Sequence, residues 1–137
     1  AELQDPVLVE IPLAAFVERI RMLYPDLEWH ISIPLSATMF TDENMLRQVL
    51  INLVKNACEA GATAMDVRWN KELWISNNGA PIPADVEREI FVPFFTTKKN
   101  GSGIGLSLSR QMMVRQGRDL CLAERPVPGF QVTFIVS

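Results

Sequence analysis

Hydrophobic residues recur along the chain with two different periods, which separate the predicted helices from the predicted strands. Apolar positions spaced three and four residues apart indicate amphipathic helices that bury one face. Short β-branched runs and strict apolar–polar alternation instead indicate half-buried strands. The predicted helices cover residues 13–24, 42–60, 84–91 and 103–116. The predicted strands cover residues 7–11, 27–33, 37–41, 64–69, 72–77, 119–124 and 130–136.

Turn and capping residues delimit several of these elements. Asp42 can cap the N-terminus of the long second helix, and Gly61 is a natural residue for ending it. A Pro–Leu–Ser turn at 34–36 predicts that the strands at 27–33 and 37–41 form a hairpin. Because helices and hairpins are segregated and do not alternate regularly, the pattern predicts an α+β two-layer sandwich. We expect a mixed sheet of about five strands packed on about three helices.

The length of 137 residues is typical of one domain, which we expect to span residues 1–137. Thirteen Lys and Arg against 16 Asp and Glu give a net charge of −3. The chain therefore lacks the basic field that attracts nucleic acids and anionic membranes. Its two cysteines, Cys58 and Cys121, are too few for a disulfide framework. These features favour a cytoplasmic domain, either of a cytoplasmic protein or as the cytoplasmic part of a membrane-bound one, with no nucleic-acid partner and no direct membrane contact. We expect the isolated domain to be monomeric.

A polar stripe accompanies the apolar face of the helix predicted at 42–60. It consists of Gln48, Asn52, Asn56 and Glu59, which recur at helical spacing. Asparagine is a poor helix former because its amide competes for backbone hydrogen bonds, so two of them one turn apart need a reason. One interpretation is a solvated stripe. The other is a row of oxygen donors for a ligand, since an amide carbonyl suits a Mg²⁺ ion that keeps waters and phosphate oxygens.

Three glycines, Gly101, Gly103 and Gly105, lie at the start of the last predicted helix. A helix N-terminus offers unpaired N–H groups and the positive end of the helix dipole, which together bind phosphate. Lys98 and Lys99 add positive charge to the same loop. The pattern is neither a Walker nor a Rossmann motif, so a plain loop running into a helix is the alternative interpretation.

The loop that follows the strand at 72–77 begins with Asn77, Asn78 and Gly79. An asparagine side chain can accept a hydrogen bond from the amino group of adenine and donate one to a ring nitrogen. The strand end is therefore a candidate for reading a planar base. An ordinary Asn–Gly turn is the alternative interpretation.

Four segments, in this order, resemble the motifs of the ATP-binding catalytic domain of bacterial sensor histidine kinases, in the GHKL ATPase superfamily. Residues 48–60 are similar to the asparagine motif and end like the nitrogen-regulation subtype of these kinases. Residues 76–83 and 101–111 resemble the two glycine motifs, and residues 91–99 resemble the phenylalanine motif. Residues 116–120 resemble the short motif that usually follows. The resemblance covers nearly the whole chain.

This resemblance implies a Bergerat fold with an ATP lid, and ATP and Mg²⁺ as cofactors. It implies that Asn56 ligates Mg²⁺ and that Asn52 lies beside the metal-bound phosphates, as the two catalytic residues. Phe91, Phe94 and Phe95 resemble the hydrophobic anchor of the lid. The nucleotide-binding residues that the resemblance implies are Asn52, Asn56, Asn77, Gly79, Ile82, Phe91, Thr97, Lys98, Gly101, Gly103, Ile104, Gly105 and Leu106.

The chain departs from the family pattern at several positions. In the superfamily's ATP hydrolases a glutamate that activates water stands where this chain has Asn52, so the amide agrees with kinase chemistry, in which a partner's imidazole attacks the γ-phosphate. Asn77 replaces an aspartate that accepts from adenine N6, and we expect adenine to bind because asparagine keeps an acceptor. Pro81 replaces a glycine of the same motif. Gln116 and Arg118 replace the histidine and a glycine of the last motif.

The resemblance implies transfer of the γ-phosphate of Mg·ATP to a histidine on a separate phosphoacceptor and dimerisation domain of the parent kinase, with a response regulator as the indirect partner. His30 lies in an alternating segment, so we expect an ordinary strand residue there. The chain alone is therefore expected to bind Mg·ATP without phosphorylating itself. Two alternatives stay open: a serine kinase of the anti-sigma-factor type, and a degenerate, non-catalytic nucleotide-binding module.

Overall fold

The computed structural model describes residues 4–93 and 105–137. Within these ranges the helices are α1 (Leu13–Met22), α2 (Glu43–Glu59) and α3 (Gly105–Val114). The strands are β1 (Leu8–Pro12), β2 (Glu28–Ser32), β3 (Thr38–Asp42), β4 (Ala64–Trp69), β5 (Leu73–Asn77), β6 (Leu120–Leu122) and β7 (Val132–Val136).

The short helix predicted at 84–91 is one 3₁₀ turn at Glu87–Glu89. Ile90 is the one residue of this segment that is buried, with 8% of its surface exposed. This is too little apolar surface to stabilise a longer helix, because short helices depend on tertiary packing.

Five of the strands form a mixed sheet in the order β2-β4-β5-β7-β6. Strands β2 and β4 are parallel, and the other neighbouring pairs are antiparallel. The core-facing side of the sheet carries the buried Met65, Val67, Ile75 and Phe134, which belong to the same apolar cluster as the buried faces of the three helices. The predicted α+β two-layer sandwich of about five strands and three helices is confirmed.

The hairpin predicted between 27–33 and 37–41 is wrong. Strand β3 pairs with β1 in a separate two-stranded antiparallel ladder, while β2 lies beside β4. The register of that ladder places Ile11 opposite Met39, and both side chains are 2% exposed. Pairing β3 with β1 therefore buries both apolar residues, and α2 returns the chain so that β4 can lie parallel to β2.

Helix α2 begins and ends where its sequence predicts. The Asp42 carboxylate accepts a hydrogen bond from the backbone N–H of Met45 at 2.9 Å, which caps the first turn. Gly61 adopts a φ of 84°, the left-handed conformation that commonly ends a helix. Five of the six positions of the predicted apolar stripe are buried, namely Leu46, Val49, Leu50, Leu53 and Ala57. The sixth, Ala60, is half-buried. This packing fixes α2 against the sheet and leaves its polar stripe at the edge of the core.

Candidate functional site

The polar stripe of α2 meets the start of α3 at Asn52. The Asn52 Nδ2 donates a hydrogen bond to the Ser109 Oγ at 3.2 Å. A Cβ added at Gly105 would lie 2.5 Å from the Asn52 Oδ1, which is closer than such atoms approach. The Asn52 amide therefore lies across one turn of α3, between Gly105 and Ser109. Gly105 permits this close approach because it has no side chain.

Replacing Gly105 with alanine is expected to destabilise the fold by about 1–3 kcal/mol, because the new methyl group forces the Asn52 amide away from α3. Urea unfolding of the native chain and of Gly105→Ala measures this cost. The same substitution made in an Asn52→Ala background is the matched control, because there the obstructing amide is absent and the cost should shrink. An equal cost in both backgrounds would contradict the proposed contact.

The other end of α2 meets the loop that follows β5. Asn77 is the last residue of β5 and is 6% exposed, and its Oδ1 accepts a hydrogen bond from the backbone N–H of Gly79 at 2.9 Å. A Cβ added at Gly79 would lie 3.0 Å from both the Cβ and the carbonyl oxygen of Ala60. The Ala80 N–H donates to that same carbonyl at 2.9 Å. The loop is thus attached to the C-terminal end of α2, and a side chain at position 79 would crowd Ala60 and the Asn77 amide.

Asn78, the second asparagine of this loop, has a structural role. Its Oδ1 accepts hydrogen bonds from the backbone N–H groups of Thr63 at 2.8 Å and Ala64 at 2.9 Å, and its Nδ2 donates to the Thr63 Oγ1 at 2.9 Å. These bonds attach the loop to the beginning of β4. Of the two adjacent asparagines, Asn77 is therefore the one whose amide nitrogen has no bond to a described residue and is left for a ligand.

Helix α2 connects these two contacts along one line of its surface. Ala60 follows Asn52 by eight residues, which corresponds to about 12 Å along a helix axis. Asn56 lies halfway between them on the same side and is half-buried. One end of this line has the Asn77 amide and the closely packed loop at Gly79. The other end has the Asn52 amide and the start of α3. Such a line suits an elongated ligand with chemically different ends.

The remaining predicted site residues divide into described and undescribed ones. Ile82 and Leu106 are half-buried and pack against the core. Phe91 contacts the Phe134 ring edge-on at 6.4 Å between centroids, and the Arg110 guanidinium lies 5.4 Å from the Phe91 centroid. Several predicted residues lie outside the described ranges: Phe94, Phe95, Thr97, Lys98, Lys99, Gly101, Gly103 and Ile104.

Arg110 also forms an ion pair with Asp119, with 2.9 Å between the Arg110 Nε and the Asp119 Oδ1. The hydrogen bond from Arg110 lowers the pKa of the Asp119 carboxyl below its usual value. Both side chains are more than 40% exposed, so the pair contributes little to stability. Its consequence is positional, because it orients the guanidinium that lies against Phe91.

Gln116 and Arg118, noted in the sequence only as departures from a motif, connect elements of the fold. The Gln116 Oε1 accepts from the backbone N–H of Asp42 at 3.0 Å, and its Nε2 donates to the Met112 carbonyl at 3.2 Å. Arg118 donates to the Phe40 carbonyl at 2.9 Å. They join the end of α3 to the β3–α2 junction. Apart from the unusual residue types, no pattern in the sequence indicates this role.

Residues 4–93 and 105–137 contain no group of three or more His, Cys, Asp or Glu that could hold a metal ion. A neutral amide oxygen such as that of Asn56 therefore fits only an ion whose other ligands are waters and ligand phosphates. His30 lies in β2, exposed, 3.3 Å from the Glu28 carboxylate and edge-on to Phe130. None of the described helices has the length and hydrophobicity that crossing a membrane requires.

Residues 41–137 match the family model described as histidine kinase-, DNA gyrase B-, and HSP90-like ATPase. The chain is 35% identical over 101 residues to the signal transduction histidine-protein kinase AtoS of Escherichia coli K12, covering 68% of this chain and 16% of AtoS. It is 31% identical over 107 residues to the sensory histidine kinase/phosphatase NtrB of Rhizobium leguminosarum, covering 61% of this chain and 28% of NtrB. The chain thus spans well under a third of the length of these relatives.

Among solved structures, the nucleotide-free catalytic domain of histidine kinase ThkA matches with a TM-score of 0.78 and 28% identity, covering 95% of this chain and 93% of that one. ThkA in complex with the response regulator protein TrrA matches with a TM-score of 0.71 and 25% identity, covering 94% of this chain and 40% of that one. Both similarities extend over nearly all of the present chain.

Proposed function

The chain belongs to the histidine kinase-, DNA gyrase B-, and HSP90-like ATPase family, and we propose that it binds Mg·ATP and donates the γ-phosphate to a histidine on a separate phosphoacceptor domain. One observation carries the proposal: the side of α2 that presents Asn52 and Asn56 runs from the Gly79 loop to the start of α3. In this proposal the base lies at Asn77 and the phosphates lie near Gly105, because the first turn of a helix such as α3 favours anions.

The neutral surroundings of Asn52 support a kinase over a hydrolase. Its amide contacts Gly105 and the Ser109 hydroxyl, and neither can take a proton from water at neutral pH. The chain's contribution is then to position the phosphates and to stabilise their charge, while the attacking imidazole comes from the partner.

Magnesium fits this proposal through Asn56. The Asn56 carbonyl would supply the protein ligand, and the ion would supply neutralisation of phosphate charge when bound. The neutral ligand is compatible with an ion that arrives and leaves with the nucleotide.

The proposed partners follow from the proposed transfer of phosphate to a histidine on a separate domain. We propose that the phosphoacceptor and dimerisation domain of the parent kinase binds this chain directly, and that a response regulator receives the phosphate from that domain. The chain itself is proposed to act as a cytoplasmic monomer that contacts neither nucleic acid nor membrane.

Incubation with γ-labelled ATP and Mg²⁺ tests the transfer. The chain alone is expected to stay unlabelled, and addition of the parent's phosphoacceptor domain is expected to give acid-labile phosphohistidine on that domain. Acid-stable phosphoserine would identify a serine kinase instead. A nucleotide-binding module without catalysis would bind Mg·ADP in calorimetry and transfer no label, and label on the isolated chain would refute the need for a separate acceptor.

A further inference from the structure

The Asn77 amide carries a hydrogen-bond donor that no described residue uses. Its Oδ1 faces the Gly79 N–H, and this contact fixes the amide orientation, because the flipped amide would place two donors against each other. Among the described residues, no acceptor contacts the Asn77 Nδ2. No buried side-chain nitrogen or oxygen in that part of the chain lacks a partner, so the Nδ2 of this 6% exposed residue is not enclosed by the described residues.

The residues around the Asn77 Nδ2 are apolar, so this nitrogen determines which hydrogen bond a ligand can form here. Strand pairing places Asn77 between Met65 and Val132, which are 1% and 5% exposed. Apolar neighbours offer a ligand no alternative hydrogen bond, and an unmatched polar atom in such a place is costly. The Asn77 Oδ1 is held within the loop, since it lies 3.1 Å from the position that a Gly79 Cβ would occupy. The atom presented outward is therefore the NH₂ donor.

We propose that Asn77 selects the base through this donor, so that the site binds purine nucleotides with an oxygen acceptor at position 6 at least as well as ATP. The inference rests on the proposed nucleotide site and concerns its base specificity. A 6-oxopurine presents an acceptor to the NH₂ group, whereas the exocyclic amine of adenine presents another donor. Adenine retains only its ring nitrogen as a partner for Asn77.

The aspartate variant is a closely matched control. Asn77→Asp keeps the shape of the side chain and an oxygen that can accept from the Gly79 N–H, but it replaces the outward donor with an acceptor. The variant should therefore favour the amino group of adenine and disfavour a 6-oxo group. Thermal unfolding of both proteins establishes that each is folded before binding is measured.

Calorimetric titration with Mg·ATP and Mg·ITP, on the native chain and on Asn77→Asp, tests the proposal. The native chain is expected to bind ITP within about threefold of ATP or more tightly, and Asn77→Asp should shift the ratio about tenfold or more toward ATP. A native preference for ATP above about threefold would overturn the proposal even if the variant failed to fold. If the variant folds, an unchanged ratio of ATP affinity to ITP affinity would also overturn it. ATP binding would then still stand, whereas binding of neither nucleotide at millimolar concentration would refute the proposed function as well.

Discussion

Asn56→Ala is expected to remove the magnesium-dependent part of nucleotide binding while leaving the fold intact. Asn56 lies halfway along the line on α2 between the contacts of Asn52 and Ala60, where its carbonyl is the proposed ligand of the nucleotide-bound ion. Losing such an interaction with a charged group corresponds to roughly a 10- to 100-fold loss of affinity. Alanine has a higher helix propensity than asparagine, so α2 itself should persist.

Calorimetric titration with ATP, in Mg²⁺ and in chelator, measures this effect. The native chain should bind more tightly with Mg²⁺, and Asn56→Ala should bind with one affinity in both conditions. The control is Asn44→Ala, the same substitution at an exposed position in the first turn of α2. Asn44→Ala should retain the native response to Mg²⁺, and a native response in Asn56→Ala would rule out its role as a ligand.

Local interactions explain why so much of α2 could be predicted from the sequence. Its start depends on the Asp42 cap, its end on a glycine that tolerates positive φ, and its orientation on the apolar stripe. Each of these signals acts within a few residues of chain. The same reasoning located β4 and β5, whose connection at Lys71 has a φ of 64°.

Long-range pairing explains the main failure. Alternation in β2 and β3 indicates which side chains point inward, but it carries no information about the neighbouring strand. Burial of Ile11 opposite Met39 favours the pairing of β3 with β1, although α1 and β2 both lie between these two residues in the sequence. Sequence proximity favoured the wrong hairpin.

The candidate site shows the same division between pattern and packing. The stripe of Asn52 and Asn56 was visible as helical spacing, because it lies on one element. The bond from Asn52 to Ser109 joins residues 57 positions apart, and no motif spacing could predict it. Gly105 is an example. The resemblance of its motif to the kinase family predicted a phosphate contact, and the structure shows in addition that the Asn52 amide approaches Gly105 closely.

Leu53→Ala is expected to have the largest effect on stability, a loss of about 2–5 kcal/mol in the free energy of unfolding. Leu53 is 2% exposed in the core-facing stripe of α2, so its truncation removes buried contacts and leaves a cavity. Urea unfolding measures the change, and Leu35→Ala is the matched control because Leu35 is 92% exposed. The control should change stability by less than about 0.5 kcal/mol.

The same variant separates packing from binding. Leu53 belongs to the apolar stripe and Asn52 to the polar one, so folded Leu53→Ala should bind nucleotide with near-native affinity. Saturating Mg·ATP should then raise the free energy of unfolding by the same amount in both proteins, because that gain depends only on ligand concentration and affinity. A cost below about 1 kcal/mol would show that the core around α2 tolerates the cavity. A selective loss of the ligand's stabilisation would show that Leu53 also holds the polar stripe in place.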